Sequence, residues 1–265
     1  MSTIKNKQSL ISPKTILGIL AVCLLVVVSI KSLTGGFNDK KNTPTDATSQ
    51  TKEKSTATTT STLDELPAVS KEDWSLVLVG PKNKLKTEVD ETNLASLSNG
   101  YQVDERIVDS YEKLAQAAKK ANFPLVIISA FRSVAYQQTV FDRNVQEVMT
   151  KNGISEDEAI AEVKKTVTEP GYSEHHTGLA VDVVDESWYN NYPDEVLEAG
   201  FGNQPGAKWL AKNAPNYGFI IRYPKGKEKI TMIDYEPWHL RYVGEESAKY
   251  ITKNNLTLEE YLNLL

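Results

Sequence analysis

Apolar residues recur at three- and four-residue intervals through residues 104–122, at Ile107, Val108, Tyr111, Leu114, Ala118 and Ala121. That spacing predicts an amphipathic helix, closed by Pro124. The run that follows, Leu125-Val126-Ile127-Ile128-Ser129-Ala130, is unbroken and reads as a buried strand. A second helix is expected over residues 134–150, with Phe141, Val145 and Val148 on one side and Gly153 past its end. Ser155 and Glu158 have the spacing of a capping box, which opens a third helix that stops before Pro170-Gly171. Residues 179–184, 219–222 and 238–243 read as further strands. Residues 206–213, 245–253 and 257–264 read as helices, the last with a second capping box at Thr257 and Glu260. Helices and strands alternate irregularly, so the fold class is α+β.

The first quarter of the chain follows another pattern. Residues 1–14 are polar and carry Lys5, Lys7 and Lys14. Residues 15–30 hold no charge and include Ile16, Leu17, Ile19, Leu20, Leu24 and Leu25, and Lys31 ends the run. A basic segment before an apolar core is the layout of a secretion signal or a membrane anchor. At roughly 16 to 19 residues the run is near the short end of what crosses a bilayer. The lysines favour a cytoplasmic N-terminus, which puts everything after Lys31 outside. Residues 34–65 are rich in Thr, Ser, Lys and Asp and nearly free of large apolar side chains, which predicts a disordered linker. The expected organisation is therefore a cytoplasmic tail (1–14), a transmembrane anchor or signal segment (15–33), a linker (34–65) and one extracellular domain (66–265).

Charge and cysteine content narrow the picture. A net charge of -5 with no basic stripe gives no reason to expect nucleic acid as a partner. The single cysteine, Cys23, lies inside the apolar run, behind a Val22 too large for a lipoprotein site. The exported domain is thus expected to fold without disulfides.

The candidate chemistry is concentrated in two places. The chain has 3 histidines, and two of them stand near carboxylates at short spacing: His175 before Gly178 and Asp182, and His239 three residues after Glu236. Zinc takes three protein ligands from His, Asp, Glu or Cys and keeps one position open. A tight turn at Gly178 can fold His175 and Asp182 onto one ion, with His239 as third ligand. Asp182 between Val181 and Val183 would be an odd choice for an apolar strand unless its carboxylate had a partner. Glu236, on the same face of a turn as His239, would take the proton of the attacking water. His176 reads as a solvated or outer-shell histidine. Tyr172, Trp238 and Arg241 flank these motifs and are open between pocket lining and core packing.

Together, Ser173, His175, Gly178, Ala180 and Asp182 in the pattern Ser-x-His-x-x-Gly-x-Ala-x-Asp, followed by Glu236 and His239 in Glu-x-x-His, resemble the signature of VanY-type D-alanyl-D-alanine carboxypeptidases. These are grouped with VanX dipeptidases, peptidoglycan L,D-carboxypeptidases and the hedgehog-like fold. Ser129-Ala130-Phe131-Arg132-Ser133 with Gln137 is similar to a further element of that family. The resemblance implies a zinc peptidase domain with an antiparallel central sheet flanked by helices, one zinc ion, and Arg132 stabilising the oxyanion. It also implies Ser173 and Gln137 as substrate-binding residues, for which the turn cap and the helix surface are the respective alternatives. The implied activity is removal of the terminal D-alanine from peptidoglycan stem peptides by a monomer held at the membrane of a Gram-positive bacterium. L,D-carboxypeptidase, cross-bridge endopeptidase and non-catalytic wall-binding module are the alternatives.

Overall fold

A computed structural model of the chain describes residues 65–191 and 196–265. The expected tail, the apolar segment and the linker up to residue 64 lie outside the described residues. Among those described, no helix is long and apolar enough to cross a membrane.

The strands are β1 (Leu94–Ser96), β2 (Gln102–Asp104), β3 (Leu125–Ser129), β4 (Ala180–Asp185), β5 (Phe219–Tyr223) and β6 (Glu236–Tyr242). The helices are α1 (Val108–Lys120), α2 (Val134–Asn152), α3 (Glu156–Val163), α4 (Glu186–Asn191), α5 (Pro205–Asn213), α6 (Glu228–Thr231), α7 (Glu245–Lys253) and α8 (Leu258–Leu262). β1 and β2 form an antiparallel hairpin, and the remaining strands make a four-stranded sheet in the order β3-β4-β6-β5. Every pairing in that sheet is antiparallel, as the expected class requires.

Local signals explain most boundaries. α1 starts later than the periodicity suggests, because Asp104 caps a 3-10 turn over Glu105–Ile107 by accepting from the Arg106 amide at 3.0 Å. Its buried residues are Tyr111, Leu114 and Ala118, one stripe at helical spacing. Ser133 caps α2, and Gly153 ends it at φ 65°, a left-handed conformation that favours glycine. Both capping boxes form, at Ser155 with Glu158 and at Thr257 with Glu260. α3 nevertheless ends at Val163, so the expected helix up to Pro170 gives way to a turn-rich stretch.

The sheet has two unlike faces. Val181 and Val183 of β4, Trp238 and Leu240 of β6 and Phe219 of β5 belong to the main core with Tyr111 and Leu114 of α1 and Leu210 of α5. Each large side chain buried there contributes about 1.5–3 kcal/mol. The alternate residues, Asp182, His239, Arg241 and Arg222, form a polar row on the other face and are buried as well. Past Arg222 and Arg241, Ile220 and Val243 join α7 and α8 in a second apolar cluster. α2 and α3 pack as a third, around Phe141, Val145 and Ala159.

A candidate zinc centre in a polar cleft

The polar row begins at a tight 3-10 turn, Glu174–Thr177, in which the Ser173 side chain accepts from the His175 amide and Gly178 closes the turn at φ 68°. Only glycine suits that last position. A Cβ there would stand 2.7 Å from the Asp104 amide nitrogen, which donates to the Gly178 carbonyl at 3.0 Å. The turn delivers the chain into β4, where Asp182 pairs across the sheet with His239 of β6. Directly opposed residues have neighbouring side chains. His175, Asp182 and His239 thus bring one ligand atom each within 4.8 Å of one another.

Two β-bulges flank this cluster. Ile127 pairs with Val183 and Ser129 with Asp182, which leaves Ile128 as an extra residue in β3 beside the site. In β6 the distortion is larger: Ile221 pairs with Leu240 but Tyr223 with Glu236, so Arg222 alone stands against Pro237, Trp238 and His239. Pro237, which has no amide to donate, falls within this break. In a regular strand Glu236 and His239, three apart, would face opposite sides. The bulge sends both into the cleft, with a Glu236 oxygen 3.7 Å from His239 Nδ1. The turn expected to bring them together is therefore a strand distortion.

The donor set suits a divalent cation. His175 Nδ1 donates to the Ala130 carbonyl at 2.6 Å, which leaves Nε2 as the lone-pair nitrogen, 3.1 Å from an Asp182 oxygen. The other Asp182 oxygen lies 2.9 Å from His239 Nδ1, yet it is buried with no hydrogen-bond partner. Two atoms that lie close without the alignment of a hydrogen bond are placed as ligands of one shared ion would be. Two imidazoles and a carboxylate are a catalytic zinc set with a position left open.

Burial sets the charges. Burial, the charge of Arg132 and His239 outweigh the Asp182 carboxylate and lower His175 to about 4. Burial alone would raise Asp182, but the two neighbouring imidazoles hold it well below its ordinary value. His239 resists burial because Asp182 and Glu174 raise it to about 9. Glu236 is the reverse case: burial raises it to about 8, against the pull of His239.

Arg132 sits just past β3, where its amide donates to the His175 carbonyl at 3.2 Å, and its side chain lines the cleft with a buried Nε that has no partner. His176 holds it from behind. Its Nδ1 donates to the Arg132 carbonyl at 2.7 Å and its Nε2 accepts from the Gly171 amide at 3.1 Å. His176 is therefore not solvated, because its ring is committed to two backbone groups.

The remaining walls of the cleft, a space of about 90 Å³, include Thr166, Val167, Thr168, Ser173, Leu197 and Trp238. Ser173 is thus both turn cap and lining. Gln137 is buried and is not part of the lining. Its Nε2 donates to the Thr168 carbonyl at 2.8 Å, one step behind the wall, while its Oε1 has no hydrogen-bond partner. The helix-surface alternative for Gln137 fails equally, since the residue is fully enclosed. Trp238 lines the cleft from the main core, and Tyr172 lies under Lys84, whose ammonium is 5.9 Å from its ring centroid.

Arg241 has a different fate. It is fully buried and donates to Glu174 at 2.6 Å and to the carbonyls of Ser75 and Val77 at 2.9 and 2.7 Å. Glu174 also accepts from Arg222 at 2.7 Å and lies 3.2 Å from His239 Nε2. Arg222 continues to Glu259 of α8 through bonds of 2.9 and 2.7 Å. Sequence reasoning missed this network. The available signal was a pair of arginines, Arg222 and Arg241, inside segments that read as strands, since cations enclosed by a sheet demand an anion.

An α+β fold with two histidines and an aspartate at the cleft floor, a buried glutamate beside them and an arginine opposite defines a zinc peptidase. A sequence profile of the VanY D-alanyl-D-alanine carboxypeptidase family matches residues 100–245, and the chain belongs to that family. It is 38% identical over 208 residues to the putative carboxypeptidase YodJ of Bacillus subtilis, covering 75% of this chain and 71% of that protein. It is similar in structure to a glutamate-to-alanine variant of the vancomycin-resistance D,D-pentapeptidase VanY from a VanB-type cassette, solved with Zn(II). There the TM-score is 0.62 and the identity 37%, over 72% of this chain and all (100%) of that one. It is also similar to the LD-carboxypeptidase LdcB, with TM-score 0.59 and identity 37% over 70% of this chain and 84% of that one.

Proposed function

We propose that this chain removes the C-terminal D-alanine from peptidoglycan stem peptides ending in D-Ala-D-Ala, and that it works on the outer side of the membrane, held there by residues 15–33. One observation carries the reading: Glu236, Arg132 and three converging ligand atoms line a single cleft. His175, Asp182 and His239 would hold the zinc ion, which when bound would supply Lewis-acid polarisation of the scissile carbonyl. The chain's own groups do the rest. Arg132, with an unpartnered Nε, offers a donor and a positive charge to the carbonyl oxygen as it becomes an oxyanion. Glu236, buried in the cleft beside His239, accepts the proton of the attacking water and passes it to the leaving amine. Ser173 borders the substrate from the turn, and Gln137 acts through Thr168, whose carbonyl it fixes. A wall-binding module would have no use for Glu236 or Arg132.

The test is product analysis. Purified protein with zinc, given a stem pentapeptide, should release one D-alanine and leave the tetrapeptide. A second reading, L,D-carboxypeptidase, is supported by the 37% identity to LdcB, and it predicts release of D-alanine from the tetrapeptide instead. Release from neither peptide would end both.

A further inference from the structure

We propose that Glu174 is a positioning residue for the metal ligand His239, and that the two arginines behind it hold it in that role. His239 has two ring nitrogens, and only one can present a lone pair to the ion. Its Nε2 lies 3.2 Å from Glu174 Oε2, while its Nδ1 faces Asp182. A carboxylate at Nε2 accepts a hydrogen bond from the ring N–H, so it fixes the tautomer with the lone pair on Nδ1. His175 is fixed in the opposite sense, with Nδ1 donating to the Ala130 carbonyl and Nε2 toward the ion. The two ligands thus use different nitrogens, and each is set by its own partner.

Glu174 can do this only if its carboxylate does not turn. It is buried with a side-chain exposure of 0%. Its other oxygen, Oε1, accepts from Arg222 Nε at 2.7 Å and from Arg241 Nη1 at 2.6 Å. Those bonds lock the carboxylate and leave Oε2 for His239. The arginines are themselves anchored, Arg241 on the Ser75 and Val77 carbonyls and Arg222 on Glu259 of α8. The start of the described domain and its C-terminal helix therefore meet the metal site through one carboxylate. Outer partners of this kind typically change metal affinity by 10–100-fold when removed.

The proposal rests on the zinc reading of the site, and the experiment separates the two. Zinc affinity is measured by chelator competition, and the Co(II)-substituted visible spectrum is recorded, for wild type, Glu174→Gln and Val148→Ala. The last variant opens the apolar cluster of α2 and α3 and loses stability without touching His239, Glu174 or the arginines behind it. Glu174→Gln should bind zinc 10–100-fold more weakly and shift the cobalt spectrum, while Val148→Ala leaves both unchanged. Affinity within about twofold of wild type and an unshifted spectrum for Glu174→Gln would overturn the role of Glu174; no zinc uptake by wild type would overturn the metal site itself. Should Glu174→Gln fail to fold, nitrogen-15 NMR of the zinc-loaded wild type decides. The His239 proton should be on Nε2 and protected from exchange, and a proton on Nδ1 would refute the assignment.

Discussion

Replacing Glu236 with Gln should give a poorer enzyme that is also a more stable protein. The side chain is 7% exposed and its carboxyl is raised from 4.5 to about 8, chiefly by burial. A carboxyl raised on folding holds a proton that the unfolded chain releases. Its contribution is therefore intact below about pH 4.5 and is lost as pH rises toward 8. At 1.36 kcal/mol per pKa unit the full loss approaches roughly 4–5 kcal/mol. His239, which faces the same carboxyl and is raised to about 9, shares part of this, so the expected net cost above pH 8 is smaller than that full loss. Gln has nearly the same shape and never ionises. For a domain of this size each kcal/mol recovered raises the melting point by about 2–4 °C.

Thermal denaturation of the metal-free wild type and Glu236→Gln, in chelator at about pH 5 and about pH 8.5, measures this. The gain should appear at the higher pH and vanish at the lower. The same variant, loaded with zinc, should keep its metal and lose a factor of about 10²–10⁴ in kcat. A variant that melts no higher than wild type at the higher pH, or gains equally at both, would refute the assignment of burial as the cause. Activity within tenfold of wild type would remove Glu236 from catalysis.

Arg132→Lys keeps a charge but not the fixed fork of donors, and kcat should fall by about 10²-fold while zinc content stays unchanged by metal analysis. Zinc added to metal-free protein at neutral pH should displace at least one proton, because His239, raised to about 9, must lose it to become a ligand, and Glu236, raised to about 8, loses its own beside a bound cation. Calorimetry in buffers of different ionisation enthalpy reads that proton, and zinc affinity should rise with pH until about 9. Gly178→Ala should cost at least about 1–3 kcal/mol in denaturant unfolding, since the new Cβ would stand 2.7 Å from the Asp104 amide at a φ of 68°.

Features that depend on near neighbours in the chain were legible in the sequence. The α1 stripe, both capping boxes and the Gly153 stop each follow from a few adjacent residues, and all form. The residues of the candidate site were legible because type and spacing are restrictive: with 3 histidines in the chain, His175 and His239 beside Asp182 and Glu236 leave little choice. What escaped were relations across strands. Glu174 is 48 residues from Arg222 and 67 from Arg241, and a glutamate preceding a motif histidine looks like a solvated side chain until the sheet closes over it. The β1-β2 hairpin escaped for another reason, since strands of three residues are too short to show alternation. Gln137 shows the limit of transferring a role by motif: the position is filled, but the side chain stops one carbonyl short of the cleft lining.

The placement of charge explains how so polar an interior is tolerated. One face of the sheet carries a continuous apolar core, and the other carries Asp182, His239, Arg241 and Arg222, each answered by an opposite partner or by a convergent ligand. Those groups sit on the two central strands, on β5 and on a turn locked at Gly178, so the chemical floor is rigid. The walls have another origin. Thr166, Val167 and Thr168 come from the stretch after α3, and Leu197 from the segment before α5. Substitutions in those walls would alter which peptide end fits without moving a metal ligand, the base or Arg132. The similar structures named as a D,D-pentapeptidase and an LD-carboxypeptidase are each 37% identical to this chain, so overall identity does not separate the two specificities. Exchanging residues 166–168 and 197 between such relatives should shift the preference between pentapeptide and tetrapeptide while leaving zinc affinity as it was.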